Sequence, residues 1–352
     1  MNIDKSNKNL NTGNYNKFCE TVNARLTRAK KIVILSHVNP DGDAVGSSLA
    51  LCHFFANAGY SSDVVFPNEY PDFLKWMPGS RDTVIHSRRK KLAEKIVMEA
   101  DLLFMLDFNT SDRAGKLAEL IKEASAFKVI IDHHPNPDGF ADAILSNTKA
   151  SSTAELLYRY MELSGGNDYI DSRVSECIYA GIMSDTGSFS YNSSEPETYR
   201  VLSELLKNGI DKDAIYSNVY DNYSENRMRL LGFCLDKKLV VLHEYGAAYM
   251  SLSLSEKENH KYIRGDAEGF VNYPLSIKGI DFAAFFMEND DHVKLSFRSK
   301  GAFDTNKFAS ENFDGGGHLN ASGGESKLSL KDTINKFISV LPKYKTGRLP
   351  DK

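Results

Sequence analysis

Short apolar runs alternate with stretches of helical spacing through the first part of the chain, and that alternation limits the fold more than any other feature. The runs are Ile32 to Leu35, Asp63 to Phe66, Leu102 to Leu106, Lys128 to Ile131 and a weaker one at Ala143 to Leu145. Strands this short and this uniformly apolar are buried on both faces, and parallel strands need helical crossovers between them, so the pattern predicts an α/β parallel sheet. The crossovers are expected at Ala44 to Asn57, where Val45, Leu49, Cys52 and Phe55 or Ala56 recur at helical spacing, and at Leu92 to Met98 and Leu117 to Ala124. A mainly helical stretch follows over Thr153 to Leu163, Arg173 to Met183 and Glu197 to Asn208. Beyond the polar segment Asp221 to Arg227 the runs Lys238 to His243, Ala247 to Leu254, Asp281 to Met287 and His292 to Phe297 are joined by short turns, with a helix expected over Lys331 to Leu341. That is the pattern of a smaller α+β domain with a mixed sheet. The reading divides the chain into a polar arm over 1–14, a first domain over 15–208, a linker over 209–230 and a second domain over 231–345.

Chemistry collects where the strands end. Ser36-His37-Val38-Asn39-Pro40-Asp41-Gly42-Asp43-Ala44 follows the first run and precedes the first crossover helix, placing a histidine and two carboxylates within seven residues. The carboxyl ends of strands in an open parallel sheet form its ligand crevice. A helix cap accounts for Asp43 alone and not for the cluster. Asp107 closes the run Leu102 to Leu106, where Ser111 or Asp112 serves equally well as a cap for the next helix. Lys128 to Ile131 runs into Asp132-His133-His134, with Asp132 placed to orient an imidazole, and Ile178 to Ser184 leads into Asp185. Each feature has a bland explanation singly; their recurrence at four element ends does not. His37, Asp41, Asp43, Asp107, His133 and Asp185 together have the composition of a two-metal centre, and carboxylates with imidazoles and no thiolate suit Mn²⁺ best, with Mg²⁺, Co²⁺ or Zn²⁺ as alternatives.

Composition removes other classes. With 43 basic against 47 acidic residues the formal charge is −4, which argues against binding long nucleic acid by phosphate neutralisation and leaves a short anionic substrate open. Cys19, Cys52, Cys177 and Cys234 are far apart with no CxxC pair, as expected of reduced thiols in a cytoplasmic protein. No apolar run reaches the roughly 20 residues of a membrane span, and the start of the chain, with six asparagines in its first sixteen residues, has no apolar signal core.

His37-Val-Asn-Pro-Asp-Gly-Asp-Ala, Asp107, Asp132-His133-His134 and Ser184-Asp185-Thr-Gly resemble, in that order, the motifs of the DHH phosphoesterase superfamily, and Phe313-Asp314-Gly315-Gly316-Gly317-His318 resembles the GGGH signature of the DHHA1 domain. The match spans residues 31 to 324. Length and layout are similar to the nano-RNase and pAp phosphatase group (NrnA type) rather than to RecJ-like exonucleases, which are larger and carry a further nucleic-acid-binding domain. The resemblance implies a catalytic DHH domain followed by a substrate-binding DHHA1 domain. It assigns His37, Asp41 and Asp107 to one metal and Asp43, Asp107, His133 and Asp185 to the other, with Asp107 bridging. It makes His134 a phosphate contact or proton donor. Arg298 and Ser299 resemble the family's substrate-binding pair, while Gly315, Gly316 and Gly317 offer backbone amides to a phosphate and His318 adds a donor. Tyr273 and Phe270 read as core aromatics before they read as base-stacking ones.

The expected activity is two-metal hydrolysis of short 5′-phosphorylated oligonucleotides such as pApA to 5′-mononucleotides, and of pAp to AMP, with substrate held between the domains. A cyclic dinucleotide phosphodiesterase and a polyphosphate or pyrophosphate hydrolase are the enzymatic alternatives. A nucleotide-sensing module without catalysis is the third, against which the complete ligand set speaks. The expected partners are short oligonucleotides or nucleotides, not long duplexes or membranes, and a homodimer fits as well as a monomer.

Overall fold

A computed structural model describes residues 12–344 except His318, and residues 12–14 by their backbone alone. The chain divides into two compact units, 1–222 and 223–352. The first unit runs α1 (Thr12–Leu26), β1 (Ile32–Leu35), α2 (Gly42–Asn57), β2 (Ser62–Phe66), β3 (Val84–Ile85), α3 (Lys90–Met98), β4 (Leu102–Leu106), α4 (Ala118–Glu123), β5 (Phe127–Asp132), β6 (Ala143–Ser146), α5 (Thr153–Leu163), α6 (Ser172–Asp185), α7 (Pro196–Lys207) and α8 (Lys212–Tyr220). Its strands form one six-stranded sheet of order β3-β2-β1-β4-β5-β6, and every pair is parallel. The strand order reverses between β1 and β4. At such a switch point the following loops diverge and leave a crevice.

Alternate residues of β1 face opposite cores: Ile32 and Ile34 join Phe55, Phe104 and Tyr160 on one side, and Val33 and Leu35 join Val97, Phe108 and Ile121 on the other. Burial on both faces is why these strands read as continuous apolar runs. On the first side α2 and α6 pack very closely. A Cβ at Gly46 would stand 2.5 Å from the Cys177 carbonyl oxygen and 3.1 Å from Gly181 Cα. The close approach brings the start of α2, with Asp41 and Asp43, toward Asp185 at the end of α6.

The sequence reading departs from the structure in three places in this unit. Residues 1–11 of the expected polar arm lie outside the described residues, but helix α1 begins at Thr12 and buries Tyr15, Phe18, Cys19 and Val22 at helical spacing. The asparagine-rich start masked that stripe. The expected linker over 209–230 is mostly helical: α8 lies within it and α9 (Glu225–Phe233) begins in it, so the units are separated by a short turn around Asn222. The two-residue strand β3 has no periodicity to detect.

The second unit continues after α9 with β7 (Val240–Leu242), β8 (Ala247–Leu252), α10 (Leu254–Asn259), β9 (Phe282–Glu288), β10 (Val293–Ser299), α11 (Thr305–Asn312), β11 (Asp314–Gly317), β12 (Ala321–Ser326) and α12 (Leu330–Val340). Its sheet, β11-β12-β10-β9-β8-β7, is mixed: β8 and β9 are parallel and the other pairs antiparallel. Phe282, Phe297, Phe308 and Phe337 form an aromatic core on one face, with ring centroids of Phe282 and Phe308 4.9 Å apart edge to face.

Because the Gly46 contact is with a backbone carbonyl of α6 that cannot rotate away, Gly46→Ala is expected to cost about 1–3 kcal/mol and lower Tm by several degrees. Thermal denaturation checks this; an unchanged Tm would mean that α2 and α6 stand further apart than this contact requires.

Candidate metal centre

The loops at the switch point carry the chemistry. Asp41 caps α2, its carboxylate accepting the amides of Asp43 and Ala44 at 3.1 Å each, which is the capping role the sequence had offered to Asp43. Asp43 lies inside the first turn, almost fully buried, and points away from its own helix. Asp107 turns the chain sharply after β4 with φ +65°, in the left-handed region that Asp enters more readily than most residues. The loop holding His37 is tied to neighbouring loops by the Val38 N–H to Arg113 carbonyl bond of 2.8 Å, and by Asn39 N–H donating to Asn68 Oδ1 at 2.7 Å.

These loops bring the predicted side chains together. His37 Nε2 lies 3.1 Å from Asp107 Oδ2 and 3.9 Å from Asp41 Oδ1. His133 Nε2 lies 3.5 Å from Asp185 Oδ2, 3.7 Å from Asp107 Oδ1 and 4.0 Å from Asp43 Oδ2. Three groups have potential ligand atoms all within 4.8 Å of one another: His37, Asp41 and Asp107; Asp43, His133 and Asp185; and Asp107, His133 and His134. Asp107 thus stands at the junction of the first and last groups, and His133 at that of the last two. His37, Asp43, Asp107 and His133 are buried, whereas Asp41 is exposed and His134 and Asp185 are half-buried, so the cluster opens to solvent along one side.

Asp132 does orient an imidazole, and it is that of His134. Its Oδ1 is 2.7 Å from His134 Nδ1 and its Oδ2 accepts the His134 amide at 3.1 Å. His133 instead turns Nδ1 toward the Ala150 carbonyl, 3.4 Å away, which leaves Nε2 facing the carboxylates.

The electrostatics are those of a site short of positive charge. Burial, reinforced by the charges of Asp107, Asp185 and Asp41, holds the Asp43 carboxyl well above the usual carboxylate range. Asp107 meets the same burial, yet the hydrogen bond from His37 and the charges of His134, His37 and His133 hold it below that range. Burial opposes charging His37, but Asp107 and Asp41 raise it overall; His133 is raised against its burial by Asp185, Asp107 and Asp132. Asp43 and Asp107 both pair with imidazoles. A set of buried Asp and His donors without thiolate, with one carboxyl held above the usual carboxylate range, fits divalent ions.

Sequence reasoning missed Thr153. The amides of Thr153 and Ala154 at the start of α5 donate to Asp43 Oδ2 and Oδ1 at 2.6 and 2.8 Å, and Thr153 Oγ1 donates to Asp107 Oδ1 at 2.9 Å. Ser151-Ser152-Thr153 ahead of an apolar helix reads simply as a cap, and nothing in the sequence aims it at the carboxylates.

In the second unit, Arg298 and Ser299 are the last residues of β10. Arg298 donates through a terminal nitrogen to the Phe297 carbonyl at 2.9 Å, and the Ser299 hydroxyl donates to Phe303 O at 2.7 Å while accepting from Asn320 Nδ2 at 2.8 Å. The glycine run is not the open loop of consecutive amides expected. Gly315, Gly316 and Gly317 lie in β11, an edge strand paired with β12, so alternate amides face its neighbour, and Gly317 N–H donates to Asn306 Oδ1 at 2.8 Å. A Cβ at Gly315 would stand 2.1 Å from the Gly323 carbonyl oxygen, so close strand approach alone requires glycine there. His318 lies outside the described residues. Phe270 is buried and Tyr273 is exposed.

The model of the DHH family N-terminal domain matches residues 31–182, which hold every candidate ligand but Asp185, and that of the DHHA1 domain matches residues 245–344. The chain belongs to the DHH family. The DHH and DHHA1 domains occur here in the order of the two units. The bifunctional oligoribonuclease and PAP phosphatase NrnA of Bacillus subtilis is 29% identical over 293 residues, 83% of this chain and 88% of that protein. Its namesake in Thermus thermophilus is 27% identical over 311 residues, 88% of this chain and 89% of the relative. The crystal structure of an exopolyphosphatase-related protein from Bacteroides fragilis superposes with a TM-score of 0.90 at 45% identity, covering 94% of this chain and 96% of that one. Among the described residues no helix is long and apolar enough to cross a membrane.

Asp107 belongs to two of the three ligand groups and Asp41 to one. Protein stripped with EDTA is therefore expected to take up two Mn²⁺ per chain with a rise in Tm. Asp107→Ala should weaken both uptake steps with folding intact, and Asp41→Ala mainly one, as read by isothermal titration with Mn²⁺. Uptake of two ions by Asp107→Ala with wild-type affinity would remove Asp107 from the shared position.

Proposed function

We propose that this chain is a two-metal phosphoesterase that hydrolyses short 5′-phosphorylated oligonucleotides, such as pApA, to 5′-mononucleotides and converts pAp to AMP. The observation that carries the reading is that the His37–Asp41–Asp107 and Asp43–His133–Asp185 groups adjoin, with Asp107 Oδ1 3.7 Å from His133 Nε2, at the carboxyl ends of a parallel sheet. The names of the Bacillus subtilis and Thermus thermophilus relatives support the substrate class.

On this reading His37, Asp41 and Asp107 hold one ion and Asp43, Asp107, His133 and Asp185 the other, and Mn²⁺ fits the donor set best. Ions held there supply charge against the phosphoryl oxygens and acidify a water molecule. His134 supplies the proton that the leaving ribose oxygen needs. With Nδ1 fixed by Asp132, proton exchange falls to Nε2. From the DHHA1 domain we propose Arg298 and Ser299, the outward amides of Gly315 to Gly317, and His318 as substrate contacts, with Arg298 offering its planar fork to a phosphate or base edge. A formal charge of −4 provides no general attraction for long strands or duplexes.

The likeness to the exopolyphosphatase-related protein of Bacteroides fragilis favours a second reading, hydrolysis of inorganic polyphosphate. One panel of pApA, pGpG, pAp, a cyclic dinucleotide and polyphosphate, with Mn²⁺ or Mg²⁺, separates the two. Turnover of pApA and pAp is expected, and all nucleotides intact with polyphosphate consumed would overturn the nucleotide reading. On oligonucleotides, kcat/KM is expected to peak at two to about four nucleotides, below the strand lengths that dedicated single-strand grooves favour. Rates rising steadily to 20-mers would instead show a continuous strand channel. Arg298→Ala is expected to raise KM for pAp and dinucleotides while leaving Mn²⁺ uptake unchanged; unaltered kinetics would place this arginine outside the substrate path.

A further inference from the structure

Thr153 touches one carboxylate from each of the two principal ligand groups. Its amide donates to Asp43 Oδ2 at 2.6 Å and its hydroxyl to Asp107 Oδ1 at 2.9 Å. Resting on the metal-centre reading above, we infer that Thr153 is a positioning residue that fixes Asp43 and Asp107 relative to each other, and with them the spacing of the two ion sites.

Two ordinary roles fail to account for these bonds. Helix capping is done by Ser152, whose hydroxyl accepts the Glu155 amide at 3.1 Å, so the Thr153 hydroxyl is not needed for it. Packing is served equally by valine, which has the same branched shape. Thr153 is completely buried, its hydroxyl must find a partner, and the partner is a carboxylate, which makes the bond charge-assisted. The bond also directs the remaining lone pairs of Asp107. Ala154 N–H holds the other oxygen of Asp43 at 2.8 Å, so that carboxylate cannot turn about its own axis. Threonine's branching at Cβ restricts its first side-chain torsion, giving its amide and hydroxyl a nearly fixed separation.

The segment that carries Thr153 is itself anchored. The Glu155 carboxylate, 1% exposed, accepts the Ser151 amide at 3.1 Å and the hydroxyls of Ser151 and Thr198 at 2.7 Å each. Asn192, in the loop after Asp185, donates to the Ser151 carbonyl at 3.1 Å. The turn before α5 therefore joins ligands from α2, β4 and the end of α6 into one frame.

The test titrates Mn²⁺ alone into the EDTA-stripped full chain, with free Mn²⁺ followed by electron paramagnetic resonance. Thr153→Val and Thr153→Ala are expected to weaken Mn²⁺ binding about 10–100-fold, as losses of groups that orient metal ligands generally do. Thr153→Ser should recover most of the affinity. Ser152→Ala should lower Tm by removing the helix cap and leave Mn²⁺ affinity at the wild-type value. Wild-type affinity in Thr153→Val and Thr153→Ala would overturn the inference, as would a serine variant as weak as valine, or a Ser152→Ala variant weakened as much as Thr153→Val. No nucleotide enters this experiment. A wild-type chain that binds Mn²⁺ but leaves pApA and pAp intact therefore refutes the proposed activity without touching the role of Thr153, whereas one that binds no Mn²⁺ refutes both.

Discussion

The first unit is organised around negative charge that has to be buried. Asp43 and Asp107 lie almost wholly out of solvent, with Asp41 and Asp185 beside them, and an isolated buried carboxylate is so costly that it protonates instead. The groups around them offset part of that cost. Three imidazoles face Asp107, Asp41 spends its lone pairs on the first amides of α2, and the first amides of α5 close on Asp43. Two helix N-termini therefore point at one cluster, each contributing roughly 0.3–1 kcal/mol and up to ~2 kcal/mol where partly buried. The offset is incomplete, as the raised Asp43 carboxyl shows. The remaining deficit is one that divalent cations held by these Asp and His groups would fill, and it links the fold to the chemistry.

The parallel sheet makes this concentration of charge geometrically possible. Every strand of such a sheet delivers its following loop to the same edge, and the reversal between β1 and β4 opens a space between the loops holding His37 and Asp107. The β5 loop delivers His133 and His134 alongside, and the close packing of α2 on α6 at Gly46 brings Asp185 in from a helix end.

Much of this was legible in the sequence, for physical reasons that also explain the failures. Strands such as Leu102–Leu106 are buried on both faces and stand out as apolar runs, and the charged residues ending them break the pattern sharply. Helix α1 escaped because its apolar stripe begins inside a polar, asparagine-rich start, and α8 because it is short and follows an Asn-Gly turn that signals a loop. The glycine run Gly315–Gly317 looks like a flexible loop and is an edge strand, since glycine at 315 and 317 answers to the proximity of the β12 backbone, a tertiary fact that no local pattern encodes. Thr153 escaped for the same kind of reason: its partners are 110 and 46 residues away in the chain.

The central claim is that two ions share Asp107, and anomalous diffraction at the manganese edge from crystals of the full chain soaked in Mn²⁺ addresses it most directly. The account requires two peaks roughly 3.5–4 Å apart on either side of the Asp107 carboxylate. One should lie against His37 and Asp41, the other against Asp43, His133 and Asp185. A single peak, or two peaks that do not share Asp107, would contradict it.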